Sequence, residues 1–306
     1  MGQLLEKTKQ YLLRKNEIPS LASMNFNEAR KLRANLPKKS VKLPPLASVE
    51  NRQITMRDGA NIEIRIYTPM GKGPFPMIVY YHGGGWVLND LDTCHESCAQ
   101  LANESQHIVV SVAYRLAPEY KFPIPVFDAF DSLLWTIDNA DTLNGDVHQI
   151  SVSGDSAGGN LAIAVCQLAS EQSIYIKSQI LLYPVTDLSY DTDSYSIFEK
   201  GYGLDRDVMK WFGDYYINDE QDSSNPLVAP LKLEDFSHLP PACIFVAEND
   251  VLRDEALQYA EQLKRAGVKT DVKVMEGIVH SYFTNNEVFD EEIQQTIQTI
   301  HTFLTK

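Results

Sequence analysis

Ile62, Ile64 and Ile66 alternate with Asn61, Glu63 and Arg65. That two-residue period predicts a strand with one face buried and the other in water. Gln53 to Met56 precedes it, and Asp58-Gly59 lies between the two, so the pair reads as an antiparallel hairpin. Further on the alternation stops and short, wholly apolar runs take over: Met77 to Tyr81, Ile108 to Ala113, Ile150 to Ser153, Ile180 to Tyr183, Ala242 to Ala247 and Val272 to Met275. Runs apolar on both sides and separated by helical segments predict parallel strands covered on both faces.

A helical period marks the two ends of the chain. Leu4, Leu5, Tyr11, Leu12 and Leu13 recur near helical spacing within residues 1 to 45, and Pro37, Pro44 and Pro45 end that region, which reads as an N-terminal appendage. Ile293, Ile297, Ile300 and Leu304 form one stripe, so residues 290 to 304 should pack as a helix on the sheet. The stretch between Tyr183 and Ala242 is too long for a simple crossover and holds an amphipathic pattern from Asp205 to Ile217. It is an insertion, of the kind that shapes ligand sites at the carboxyl ends of parallel strands.

Composition narrows the class. With 306 residues the chain can bury a sizeable single α/β core. Lys and Arg number 27 against 41 Asp and Glu, and the net charge of −14 opposes phosphate backbones and anionic lipid, so neither nucleic acid nor membrane is expected as a partner. No apolar run nears the roughly 18 residues of a membrane helix, the first residues do not resemble a signal peptide, and Gly2 is followed by Glu6 where myristoylation wants Ser or Thr. A cytoplasmic protein is expected. Cys94, Cys98, Cys166 and Cys243 are too sparse for a disulfide framework. Cys94 and Cys98 share a helix face but have no second ligand pair, and they read as a packed helix start rather than a metal site.

The chemistry begins at Gly154-Asp155-Ser156-Ala157-Gly158, a G-x-S-x-G pattern between a predicted strand and a helix from Ala157 to Ala169. In that context it predicts a nucleophile elbow, a strained turn whose neighbours lack side chains where two backbones meet. A dinucleotide fingerprint would want glycine at position 156, and a P-loop would need a Gly-Lys-Ser or Gly-Lys-Thr that is missing here. Upstream, His82-Gly83-Gly84-Gly85-Trp86 follows the strand Met77 to Tyr81. Its glycines leave backbone N–H groups unobstructed, and Gly84 and Gly85, with the N–H of Ala157, are the expected oxyanion hole.

The partners of the serine should follow in the order acid, then histidine. Only His280 and His301 come after Asp250, and His301 belongs to the terminal helix, so His280 is the expected base. Asp250 leaves the strand Ala242 to Ala247 in a turn, whereas Asp254 should lie in the next helix and Glu248 along the strand. Asp250 is therefore the preferred acid.

Taken together, these motifs resemble the hormone-sensitive lipase family of α/β-hydrolases, especially its bacterial carboxylesterases and acetyl esterases. The likeness runs from about residue 75 to the C-terminus and includes Tyr114-Arg115-Leu116-Ala117-Pro118-Glu119, Gly159-Asn160, Tyr183-Pro184 and Asp250-Val251-Leu252-Arg253-Asp254-Glu255. The resemblance implies an α/β-hydrolase fold: a mostly parallel sheet opening on an antiparallel hairpin, with helices on both faces. It implies one domain over residues 1 to 306, with a helical cap from 1–45 and 187–230. It also implies cofactor-free hydrolysis of short-chain esters by a triad of Ser156, Asp250 and His280, with Gly83, Gly84 and Gly85 serving the oxyanion hole. Trp86, Trp211 and Phe212 are candidate substrate contacts, the last two from the aromatic stretch of the insertion. Val251 stands where the family usually has Pro, and His280 opens a His-Ser-Tyr-Phe sequence that varies slightly from the family's. Arg115 and Glu119 are read as a pair bracing a loop, and Asp155 as structural. A homodimer through the sheet edge rests on family analogy alone. An amidase or deacylase with the same triad is the chemical alternative, and a small-molecule receptor on this fold would be expected to have lost a triad member.

Overall fold

The computed structural model describes residues 3–35 and 43–306. Gly2 and Pro37, named above, lie outside the described residues. The hairpin is β1 (Leu46–Thr55) and β2 (Asn61–Pro69), closed where Gly59 adopts φ +84° and the Asp58 carboxylate accepts the N–H of Ala60 at 3.1 Å. There follow β3 (Phe75–Tyr81), β4 (Ile108–Val112), β5 (Gly145–Asp155), β6 (Ser178–Leu182), β7 (Ala242–Asn249) and β8 (Thr270–Val279). Several strands run past the apolar stretches that announced them, because their ends pair through backbone groups that need no apolar side chain.

The sheet has the order β1-β2-β4-β3-β5-β6-β7-β8. Strands β1, β2 and β4 pair antiparallel, and all later neighbours pair parallel. From β3 the chain turns outward to β4, then crosses back to β5 on the other side of β3. That reversal is a topological switch, and ligands of open α/β sheets bind outside the carboxyl ends of the strands flanking it. It sets Tyr81 beside Gly154, so the loop after β3 and the turn after β5 start as neighbours.

Alternation along β3 divides the core. Met77, Val79 and Tyr81 face the layer of α4 (Ile124–Asp138), α5 (Ala157–Glu171) and α8 (Arg253–Arg265), while Ile78 and Tyr80 face α3 (His95–Ser105) and α9 (Asn286–Leu304). Cys94 and Cys98 pack in the second layer, and the stripe Ile293, Ile297, Ile300 and Leu304 is buried there. The N-terminal segment forms α1 (Glu6–Lys15) and α2 (Phe26–Ala34), the latter opened by a capping box of Asn25 and Glu28. Helix α1 turns Leu12 inward and leaves Leu13 exposed, so not every leucine of that region belongs to its buried face. The insertion carries α6 (Asp193–Ile197) and α7 (Arg206–Tyr216).

Candidate active site

Ser156 is the residue between β5 and α5, at φ +56° and ψ −118°. That backbone is costly for a residue with a Cβ and persists only where its surroundings hold it. They do: the Ser156 N–H donates to the Leu182 carbonyl at 2.8 Å, and its carbonyl accepts from Val185 at 3.2 Å. The close approach also explains Gly158, where a Cβ would run into the carbonyl of Tyr81.

Three segments far apart in the chain meet at this hydroxyl. His280, directly after β8, places Nε2 2.9 Å from Ser156 Oγ. Its Nδ1 lies 2.6 Å from Asp250 Oδ2, in the turn after β7. A proton on Nδ1 satisfies both contacts, with Nδ1–H donating to the carboxylate and Nε2 accepting from the serine. Asp250 also accepts the N–H of Leu252 at 3.1 Å, and the edge of Tyr183 meets the imidazole at a centroid distance of 4.8 Å. All three side chains are buried, which strengthens every polar contact among them. The other acids considered point elsewhere. Glu248 accepts the N–H of Gly277 at 2.7 Å, and Asp254 accepts the N–H of Ser194 at 2.7 Å. Val251 is buried, its carbonyl taken by Ser194 Oγ at 2.6 Å, so the acid turn is tethered without a proline.

The glycine loop corrects one expectation. The N–H of Gly83 donates to Asp155 Oδ1 at 2.8 Å, so Gly83 has no donor left for an oxyanion. Among the described residues, the N–H groups of Gly84, Gly85 and Ala157 have no acceptor, and Ala157 opens α5 at its positive end. Asp155 thus does more than pack beside Ser156: it also accepts from Tyr80 Oη at 2.8 Å and joins the loop after β3 to the turn after β5. Burial pushes its carboxyl above the usual range, opposed by those two donors. His82 is buried, stacked on Tyr114 at 4.5 Å, and held by its own contact to the Gly83 carbonyl at 2.8 Å; burial lowers its pKa.

The expected substrate contacts separate. Phe212 of α7 abuts Gly85 closely enough that a Cβ there would enter its ring. Trp86 is fully buried and stacked on Tyr216 at 4.2 Å, which makes it a packing residue between the loop and α7 rather than a ligand contact. Trp211 donates its indole N–H to the Met24 carbonyl at 2.9 Å and ties α7 to the N-terminal segment. The loop-bracing pair is also corrected. Arg115 binds Asp128 and Asp58 at 2.6 and 2.7 Å, while Glu119 is taken by Arg30 of α2 at 2.6 Å. Arg115 already reaches two acids around it, and the sequence offers no sign that α2 would arrive to claim Glu119.

Known proteins resemble this chain in sequence and fold. The alpha/beta hydrolase fold family matches residues 78–284. An arylesterase of Saccharolobus solfataricus is 36% identical over 269 residues, 88% of this chain and 88% of its own. The carboxylesterase NlhH of Mycobacterium tuberculosis is 38% identical over 262 residues, 83% of this chain and 82% of its own. Among solved structures, an esterase of Pyrobaculum calidifontis superposes with a TM-score of 0.88 at 35% identity, over 98% of this chain and 99% of that one. With a family match over most of its length and relatives more than a third identical, the chain belongs to the alpha/beta hydrolase fold family, in the hormone-sensitive lipase-like branch whose motifs it carries.

Proposed function

We propose that this protein is a serine carboxylesterase that hydrolyses short-chain acyl esters through an acyl-enzyme. The observation that carries the reading is the unbroken series from Ser156 Oγ to His280 Nε2, at 2.9 Å, and from His280 Nδ1 to Asp250, at 2.6 Å. Relatives named as an arylesterase and a carboxylesterase support the ester as substrate.

In this reading His280 takes the Ser156 proton as Oγ attacks the ester carbonyl. The oxygen that becomes negative is received by the N–H groups of Gly84, Gly85 and Ala157. Asp250 holds the imidazole in the required tautomer and stabilises the imidazolium. Collapse of the tetrahedral intermediate breaks the bond to the alcohol, which leaves with the proton from His280. Water then repeats the sequence on the acyl-serine, giving up a proton to His280 and releasing the acid. The helices of residues 1–45 and of the insertion act as the cap, and Phe212 bounds the acyl side. The four buried free thiols fit a reducing, cytoplasmic setting.

Ser156→Ala tests the proposal. Hydrolysis of p-nitrophenyl butyrate should fall by about four to six orders of magnitude, because triad members act as a unit, while thermal unfolding stays close to the parent's. A variant that retains near-parental turnover would refute the nucleophile.

A further inference from the structure

Glu255 occupies the third position of α8, where a glutamate commonly folds back onto the first N–H groups of its own helix. Here it is turned inward and buried, and its Oε1 accepts the N–H of Thr186 at 2.7 Å and of Asp187 at 3.2 Å. Those residues open the insertion after β6. The residues just before them serve the nucleophile: Leu182 accepts the Ser156 N–H at 2.8 Å, and Val185 donates to the Ser156 carbonyl at 3.2 Å. At its other end, Glu255 belongs to the segment that presents Asp250. One side chain therefore joins the backbone around Ser156 to the turn around Asp250.

The chemistry of the position argues for a reason beyond packing. Glu255 is faced by Asp187, Asp250, Tyr190 and Tyr195, with no cation among them, and Lys232 reaches Asp187 instead, at 3.4 Å. Burial, together with the two aspartates, pushes its carboxyl well above the usual range against the pull of the backbone donors. An apolar side chain would fill the same space without burying a carboxyl next to two others. What it could not supply is a pair of acceptor contacts across the sheet.

We propose that Glu255 is a positioning residue that sets the separation of Ser156 from Asp250. The inference rests on the triad reading above. His280 arrives on a third segment and must meet Oγ at 2.9 Å and Oδ2 at 2.6 Å at once, so any shift of one turn against the other lengthens a contact. Reacting geometry is steep: a displacement of about 1 Å costs on the order of a hundredfold.

The test is titration of Ser156 with a p-nitrophenyl phosphonate, which reports both the number of competent sites and the labelling rate at each. Glu255→Leu removes both acceptors and should slow labelling and kcat per titrated site about tenfold or more, with KM for p-nitrophenyl butyrate within about twofold. Glu255→Gln keeps an oxygen for Thr186 and should slow them by about two- to fivefold, a partial rescue. A purely structural role would lower the number of titratable sites and leave the rate at each unchanged, and that result overturns the proposal. If Glu255→Leu does not fold, a Glu255→Gln rate per site equal to the parent's overturns it alone. A parent protein that the phosphonate does not label at Ser156 refutes the triad reading and the inference with it, whereas a labelled parent with unchanged variants refutes only the inference.

Discussion

Gly158, in the turn after β5, and Gly85, in the loop after β3, both exclude a side chain, but for different reasons. A Cβ at Gly158 would meet the carbonyl of Tyr81, a backbone atom held in the sheet, whereas a Cβ at Gly85 would meet the ring of Phe212, the end of a side chain supplied by the insertion. One part of the site is backbone against backbone and the other is backbone against a replaceable residue. The geometry at Ser156 is therefore inseparable from the fold, while the side chain beside the glycine loop can be altered without disturbing the sheet.

The sharpest way to break that contrast is to add one methyl group at each glycine. Gly158→Ala has no local escape and should destabilise the protein by at least about 4 kcal/mol or prevent folding, the range of severe core disruption. Gly85→Ala should also be damaging, but Phe212→Ala should restore part of the loss by vacating the space the methyl needs. The rescue stays incomplete because Gly85 sits at φ +60°, which costs a residue with a Cβ roughly 1–2 kcal/mol. Urea unfolding of the single and double variants checks both halves. A Gly158→Ala protein within about 1 kcal/mol of the parent, or no coupling between positions 85 and 212, would dissolve the distinction.

A smaller effect concerns specificity. The parent should hydrolyse acetyl to hexanoyl p-nitrophenyl esters well and palmitoyl esters hardly at all, because a methylene gains about 0.8 kcal/mol only while it can be buried. Phe212→Ala should move the maximum of kcat/KM toward longer chains, improving octanoyl relative to butanoyl by about tenfold, equivalent to roughly 1.4 kcal/mol or two buried methylenes. Trp211→Ala, which removes a tie to Met24, should leave the chain-length profile in place. An unchanged profile in Phe212→Ala would reduce that ring to packing.

The same contrast explains what could be read from the chain. Ser156 and the three glycines after His82 lie in contiguous patterns whose steric requirement is local, and Asp250 and His280 follow from chain order and strand ends. The parallel strands were legible as apolar runs, though not where each ended. What escaped was set by partners distant in sequence: Asp155 on Gly83, Glu255 on Thr186, Trp86 under Tyr216. A buried acid and a surface acid look alike in a sequence, since the difference lies in which segment comes to rest on them. The aromatic stretch of α7 was legible as a cluster of rings, but only the register of the helix decided that Phe212 faces the glycine loop while Trp211 turns to the N-terminal segment.

The smallest expected effect tests how that N-terminal segment is fastened. Arg30 of α2 donates to Glu119 at 2.6 and 2.9 Å, but also to the carbonyls of Val87 at 3.0 Å and Ala117 at 2.9 Å, in the loops that surround the glycines. The Glu119 side chain is 45% exposed, so its ion pair is screened and should contribute under about 1 kcal/mol. The carbonyls gain more from Arg30, because a charged donor to a part-buried acceptor is the stronger contact and its loss leaves the acceptor unpaired. Glu119→Gln should thus lower stability by a few tenths of a kcal/mol, and Arg30→Met by about 1–3 kcal/mol. A double-mutant cycle should find weak coupling between Arg30 and Glu119 and none between Arg115 and Glu119, since Arg115 is held by Asp128 and Asp58. If Glu119→Gln matched Arg30→Met, surface charge rather than the loop carbonyls would hold α2, and the N-terminal segment would be fastened to the core by contacts that salt could loosen.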